Sequence, residues 1–522
     1  MNRPYSAKDH LPGELYTAAQ VRELDALAIA QIEQAPTVLP DAPDNSATTT
    51  SGGYELMCRA GEAAFACLLE RWPEESSVCV VAGPGNNGGD AYVLAALACH
   101  HGMDVVFYTL GDHSTLSAAA AQAREQALEA GVEPQVFRGE LMYEGQVIID
   151  GLLGTGLNKA VEGDFAHLIA AINAHFADVL ALDIPSGLAA DSGRILGNAV
   201  VADLTVTFIG VKQGLLTADG PDVCGEVAFA SLAVDPLLYH QVQAQSERIS
   251  WDRLERLGQR LSARRGNSHK GEFGHVMVVG GDHGMGGAVA MAVEAAGRCG
   301  SGLIRCATRT EHVTPILVRR PEVMVRAVES GLELQPLLQQ STVIACGPGL
   351  GQSSWSELLL QQVLHAESPL VLDADGLNLL ASPGWKRSFG DRPVVLTPHP
   401  GEAARLLNTS IEQVQSDRFT AARQLAQDYD AVVVLKGQGT LIARPDGLVA
   451  LCTDGNPGMA CGGMGDVLTG VIAALLAQGL SPWLAARYGV CVHSGAADLA
   501  AQHGQRGLLA TDLMPYLREL MN

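Results

Sequence analysis

The sequence predicts an α/β protein of two domains, each built on a mostly parallel sheet covered by helices on both faces. At 522 residues the chain exceeds what one hydrophobic core organises, since domains cluster at roughly 100–200 residues. Short apolar runs such as Val78-Cys-Val-Val-Ala82 alternate with helical stretches in both halves, the pattern of strands buried on both sides. Most of these runs end in glycine, acidic or amide residues, and ligands of parallel sheets sit outside the carboxyl ends of the strands.

The composition is globular, with 47% hydrophobic and 17% charged residues and 58 glycines. A formal charge of −23 argues against nucleic acid or an anionic membrane as partner, because both need a basic surface. If the ligand is a nucleotide, backbone N–H groups, a few lysines and a metal must hold its phosphates. The 11 cysteines show no C-x-x-C spacing and read as reduced core residues of a cytoplasmic protein. Met1 to Leu11 lacks an apolar stretch of the kind found in export signals, and no apolar run approaches the ~20 residues of a membrane helix.

In chain order, Ala18 to Glu33 carries Val21, Leu24, Leu27 and Ile29 at helical spacing, with Thr17 as a cap. Ala35 to Gly53 is rich in Pro, Thr, Ser, Asp and Gly and is expected to be a mobile loop. A helix is expected from Tyr54 to Arg71. Strands at 78–82, 105–109, 147–150 and 180–184 then alternate with helices at 90–101 and 117–130. Their ends carry Gly83-Pro-Gly-Asn-Asn-Gly-Gly-Asp90, Asp150-Gly-Leu-Leu-Gly-Thr-Gly-Leu157 and Asp183-Ile-Pro-Ser-Gly187. Each could be an ordinary turn. Together they offer three carboxylates, two amides and a hydroxyl to one crevice, beside glycine turns that let phosphate approach the backbone.

Asp235 to Ser268 reads as a connector, which puts the boundary near residue 240 and the domains at 1–240 and 241–522. Strands are expected at 274–281, 303–306, 342–346, 370–373, 394–397 and 431–435, with a small-residue helix from Ala288 to Arg298. Lys436 follows a buried strand, where a lone lysine is usually solvated; with Gly-Gln-Gly-Thr440 behind it, it reads as part of a nucleotide site. His399 lies between prolines that fix the backbone, and serves either as a capped turn histidine or as a ring aimed into the site. Gly455 to Gly470 runs a glycine-dense turn into an apolar helix. The N–H groups of Gly462 to Gly465 would point out of its start as an anion seat. Asp466, fixed at the mouth of that seat, can serve as general acid or base.

The first-half motifs resemble the NAD(P)H-hydrate epimerase domain, a Rossmann-like α/β/α fold, over roughly residues 12 to 235. The resemblance implies that Asn86, Asn87, Gly88, Gly89 and Asp90, with Gly154, Thr155, Gly156, Leu157, Asn158, Lys159 and Ala160, hold the hydrated nucleotide. It implies that Asp183 contacts the substrate near the reacting carbon and that Asn87, Asp150 and Ser186 hold a potassium ion. Ala91 stands where the family often has glycine, and the 35–53 loop is long for the family. The Thr397-Pro-His-Pro-Gly-Glu402, Lys436-Gly-Gln-Gly-Thr440 and Gly455-to-Asp466 segments resemble the ADP-dependent NAD(P)H-hydrate dehydratase, a ribokinase-like α/β/α fold, over about 245 to 518. Carried over, Lys436, Gly437, Gln438, Gly439, Thr440 and Gly465 bind the adenine nucleotide, while Ala288, Gly349, His399 and Asp466 contact the hydrated nicotinamide. Cys461 replaces a small hydroxyl residue usual at its place, with little effect expected.

The resemblance implies a two-step repair enzyme. The first domain interconverts the R and S hydrates of NADH and NADPH; the second dehydrates the S hydrate with ADP and magnesium, giving NAD(P)H, AMP and phosphate. A homo-oligomer is expected. Two readings of other classes are a small-molecule kinase that keeps the phosphate on its product, and a nucleotide-binding regulatory module without turnover.

Overall fold

Alternation along the strands decides the layering. In the run Ser77–Ala82, Val78, Val80 and Ala82 enter one hydrophobic cluster, while Cys79 and Val81 enter another. A strand apolar on both faces must be covered on both, and it is. Helices Ala18–Gln34, Gly52–Arg71, Asn86–His100 and Ala118–Glu129 supply one cover, and Gly163–Ala174 contributes to the other.

The computed structural model describes residues 11–34, 51–259, 261–385 and 388–522. Of the mobile loop expected from Ala35 to Gly53, residues 35–50 lie outside them, while Ser51 caps the helix Gly52–Arg71 and Gly52 and Gly53 form its start, so the loop does not extend that far. The chain divides into two compact units between Ser246 and Glu247.

The first unit holds β1 (Ser77–Ala82), β2 (Asp104–Thr109), β3 (Pro134–Val136), β4 (Val147–Gly151), β5 (Asp178–Leu182), β6 (Leu204–Phe208) and β7 (Glu226–Ala230). They pair in the order β3-β2-β1-β4-β5-β6-β7, all parallel. The order reverses between β1 and β4, and the crevice at such a switch point is where a ligand fits. Strands β3, β6 and β7 were not identified from sequence.

In the second unit are β8 (His275–Val279), β9 (Leu303–Thr308), β10 (Met324–Ala327), β11 (Val343–Cys346), β12 (Leu370–Leu372), β13 (Val394–Leu396), β14 (Val432–Leu435), β15 (Thr440–Ala443) and β16 (Val449–Cys452). These nine run β16-β15-β14-β13-β12-β11-β8-β9-β10. They are parallel from β10 to β14, and β15 and β16 are antiparallel. The switch here lies between β8 and β11. Among the described residues no helix is long and apolar enough to cross a membrane.

The helix predicted from Asp90 begins at Asn86, so Asn86-Asn-Gly-Gly89 forms its first turn and Asp90 follows it. Glycine is needed there for close approach: a Cβ on Gly88 would lie 2.0 Å from the Gly83 carbonyl oxygen. In the second unit the helices Gly286–Arg298 and Met464–Ala477 pack at Gly470, where a Cβ would lie 2.1 Å from the Ala292 carbonyl oxygen. This contact seats the Met464 helix, and with it the start that carries Asp466. Gly470→Ala should therefore lower the thermal midpoint, with an overpacking cost of about 1–3 kcal/mol. Gly462→Ala, whose Cβ meets nothing within 4 Å, should leave it unchanged; equal effects of the two in a thermal melt would contradict the close-packing account.

Candidate functional site

Each unit gathers charge at the carboxyl ends of its strands. In the first, a cavity of about 790 Å³ is lined by Asn86, Asn87, Asp90, Gly154, Thr155, Gly156, Leu157, Asn158, Lys159 and Asp183. Gly88, Gly89 and Ala160 are outside the lining. Gly88 and Gly89 are instead packing positions, since a Cβ on Gly89 would meet the Met57 side chain at 2.6 Å.

Asp183 follows β5 with φ of 65°, a left-handed conformation rare for a residue with a side chain. Its Oδ1 accepts from the Phe208 N–H at 3.0 Å and from the Lys212 ammonium. Lys212 is fully buried, and its Nζ also donates to Thr207 Oγ1 at 3.1 Å and to the Phe208 carbonyl at 2.9 Å. Sequence reasoning missed this lysine; the available signal was a charge inside the apolar run Phe208-Ile-Gly-Val-Lys212. It also missed Asp25, which lines the same cavity from the first helix, four residues after the buried Val21. Burial pushes the Asp25 carboxyl up to about 6, with Lys212 opposing and Asp183 adding. Burial likewise drives Asp90 well above the usual carboxylate range, and Asp183 and Asp25 reinforce it.

Beneath this cavity Asp150 is completely buried. Its Oδ1 accepts from the Ser186 hydroxyl at 2.6 Å and the Leu152 N–H at 3.2 Å, and its Oδ2 from the Ser186 N–H at 2.8 Å. Asn87 Nδ2 donates to the Leu153 carbonyl at 3.0 Å, while the Ser186 hydroxyl accepts from the Leu153 N–H at 2.7 Å. The structure thus brings together Asn87, Asp150 and Ser186, and leaves the buried Asn87 Oδ1 without a protein partner.

In the second unit, Gly463 caps the helix Met464–Ala477 with φ of 94°, and Asp466 lies in the first turn. The Lys436 ammonium donates to Asp373 Oδ1 at 2.8 Å and lies 3.8 Å from Glu402 Oε2. Thr397 and Thr469 hydroxyls donate to Asp373 at 2.8 and 2.9 Å. Gly465 sits over this pair: a Cβ there would be 3.2 Å from Lys436 Nζ. No protein hydrogen bond reaches the Asp466 carboxylate among the described residues. Burial pushes it up to about 7, with Asp373 adding and Lys436 opposing. Glu402 is pushed up to about 7 as well, by burial first. Burial alone would lower the Lys436 ammonium, but Asp373 and Glu402 outweigh it and hold it above its ordinary value.

His399 is the cap of the helix Pro400–Leu407: its Nδ1 accepts from the Gly401 N–H at 2.9 Å and the Glu402 N–H at 3.3 Å. Nδ1 is therefore the unprotonated nitrogen, and Nε2 carries the proton 3.3 Å from Glu402 Oε1. The capped-turn reading and a half-exposed ring thus hold at once. Ala288 and Gly349 abut, with a Cβ on Gly349 falling 3.1 Å from the Ala288 Cβ. The loop after Gly349 is tied to the end of β12 by the Gly351 N–H to Asp375 at 2.9 Å. Asp373 and Glu402 stood in the motifs read from the sequence but were not singled out as site residues.

A family model described as NAD(P)H-hydrate dehydratase matches residues 276–519, and one described as the YjeF-related protein N-terminus matches 53–214. A relative from Coxiella burnetii, the bifunctional NAD(P)H-hydrate repair enzyme Nnr, is 48% identical over 97% of this chain and 99% of its own. The Escherichia coli protein of the same name is 45% identical over 90% of each. Among solved structures, the ADP/ATP-dependent NAD(P)H-hydrate dehydratase from Bacillus subtilis co-crystallized with ATP/Mg2+ is 32% identical, with a TM-score of 0.46 over 51% of this chain and 95% of its own.

Because Lys436 lowers the Asp466 and Glu402 carboxyls, Lys436→Met should raise both above about 7. Carboxyl carbon NMR titration reads this directly; titration at unchanged or lower pH would contradict the charge coupling.

Proposed function

The chain belongs to the family of bifunctional NAD(P)H-hydrate repair enzymes, and from that premise we propose how its two crevices divide the work. Residues 1–240 interconvert the R and S hydrates of NADH and NADPH. Residues 241–522 dehydrate the S hydrate with ADP, giving NAD(P)H, AMP and phosphate. The observation that carries the reading is an unpartnered carboxylate, Asp466, at a helix start beside the Lys436 ammonium, with burial setting its pKa near 7.

Hydroxide leaves a saturated ring carbon poorly, and phosphate leaves well. Asp466 accepts the proton of the substrate hydroxyl while the oxygen attacks the terminal phosphorus of ADP, and the bond to the bridging oxygen breaks to release AMP. Lys436 and the N–H groups of Gly463 to Gly465 spread the negative charge of the transferring group. Phosphate then departs with the C–O electron pair as the ring nitrogen lone pair forms a C=N bond; loss of a proton from the neighbouring carbon completes the dihydronicotinamide. His399, Ala288 and Gly349 line the nicotinamide side, and Lys436, Gly437, Gln438, Gly439, Thr440 and Gly465 the nucleotide side. Magnesium would enter with the nucleotide and be held on its phosphates, since the Asp373 carboxylate is already filled by Lys436, Thr397 and Thr469 and Glu402 accepts from the His399 N–H. Bound there, magnesium neutralises phosphate charge.

In the first domain Asp183 moves the proton, with Lys212 holding its carboxylate. Asn87, Asp150 and Ser186 suit a potassium ion: the orphaned Asn87 Oδ1, the Leu153 carbonyl and the Ser186 hydroxyl are hard oxygen donors in one buried cluster. A cytoplasmic homo-oligomer completes the proposal, and eleven free cysteines suit a reducing compartment.

Asp466→Asn should lower the dehydration rate by about 10²–10⁴-fold, the range for a lost general base, while R-to-S exchange continues; unchanged dehydration would overturn the role. As a base, Asp466 acts deprotonated, so dehydration kcat/KM should fall tenfold per pH unit below about 7 and level off above it. A rate flat from pH 5 to 8 would contradict this. Asp183→Asn should slow epimer exchange by a similar factor and leave dehydration of pure S hydrate intact, as followed by chromatography of the two epimers.

A further inference from the structure

Arg418 opens the helix Arg418–Tyr429 and is 1% exposed. Its guanidinium donates to four carbonyl oxygens of one short loop: Gln438 at 2.5 Å, Leu435 at 3.3 Å, Gly439 at 3.3 Å and Lys436 at 3.4 Å. The remaining carbonyl of the loop, on Gly437, accepts from the Thr440 hydroxyl at 3.1 Å. Gly437 has φ of 141°, and a Cβ there would lie 2.9 Å from the guanidinium nitrogens, so the loop is moulded onto this one side chain.

In a trans peptide the C=O and the following N–H point in opposite directions. With the Lys436 and Gln438 carbonyls drawn onto Arg418, the N–H groups of Gly437 and Gly439 are turned away from it. Neither has a backbone acceptor among the described residues. Two N–H groups presented side by side in a glycine loop, next to the Lys436 ammonium, form an anion-binding concavity. No carboxylate pairs with Arg418 among the described residues. Burial lowers its pKa only to about 10, so the guanidinium keeps a positive charge at neutral pH beneath the loop.

We propose that Arg418 is a positioning residue for ADP: by holding the carbonyls of residues 435 to 439 it turns the Gly437 and Gly439 N–H groups toward the phosphates, without itself touching the nucleotide. The inference rests on the reading that Lys436 to Thr440 cradle the nucleotide. Sequence reasoning did not single out Arg418, since nothing near it in the chain marks its partners.

The test uses the full-length chain and compares KM for ADP, KM for the S hydrate and the epimer exchange rate. Arg418→Met should raise KM for ADP about tenfold or more, the loss of a charge-assisted hydrogen-bond set. KM for the hydrate and epimer exchange should change less than about twofold, and added guanidinium ion should recover part of the ADP affinity. Arg418→Lys, with three donors in place of five, should fall between; should Arg418→Met not fold, the lysine variant and its KM split carry the test. An ADP KM within twofold of wild type in a folded variant, or equal rises for ADP and hydrate, would overturn the inference. Lys436→Met separates it from the reading beneath it. If that variant also leaves ADP binding unchanged, the nucleotide assignment of the loop fails; if it weakens ADP and Arg418→Met does not, only the role of Arg418 fails.

Discussion

The second unit depends on one ion pair, Lys436 with Asp373. It joins the end of β14 to the end of β12, and hydroxyls from Thr397 after β13 and Thr469 in the helix Met464–Ala477 fix the carboxylate from two further directions. Four segments remote in sequence are thereby locked at one point. A pair removed this far from water contributes modestly to stability in itself, because desolvation offsets most of the attraction. Breaking it is another matter, since Asp373 without Lys436 would be a buried uncompensated charge. Its value is positional: it holds an ammonium under the helix start, where burial raises the proton affinity of Asp466, Asp373 adds to it and Lys436 opposes it.

The first unit reaches a comparable state by different means. Asp183 is held in a left-handed backbone conformation, which costs about 1–2 kcal/mol for a residue with a side chain. Its carboxylate is tied to a fully buried lysine. Strain and buried charge at a strand end are tolerated where surrounding packing fixes them, and such places cluster at functional sites. Here Asp25 and Asp90 add two carboxyls of raised proton affinity to the same cavity. Both units thus place one lysine among several carboxylates at the carboxyl ends of parallel strands.

The pattern of alternating buried strands and helices was legible because strands covered on both faces leave uninterrupted apolar runs. The polar clusters that follow β1, β4, β5, β12, β13 and β14 were legible for the same reason, as charge standing directly after such a run. What escaped included β10, a sheet-edge strand with three of its four residues exposed, and the β15–β16 hairpin, whose two runs are only four residues each. Lys212, Asp25 and Arg418 escaped for a deeper cause. Each is a charge whose role is set by groups far along the chain, the Asp183 carboxylate for Lys212 and a loop some twenty residues on for Arg418. No local period or spacing encodes such a partner. His399 shows the reverse case: the capped turn was legible from the flanking prolines, and the cap uses Nδ1 and leaves Nε2 3.3 Å from Glu402 Oε1.

The fate of the transferred phosphoryl group tests the central claim most directly. With equimolar hydrated NADH and ADP, phosphorus NMR should show AMP and free inorganic phosphate appearing together, one of each for every NADH regained by absorbance. A stable phosphorylated alcohol accumulating in place of free phosphate, with no NADH regained, would contradict the account and favour a kinase.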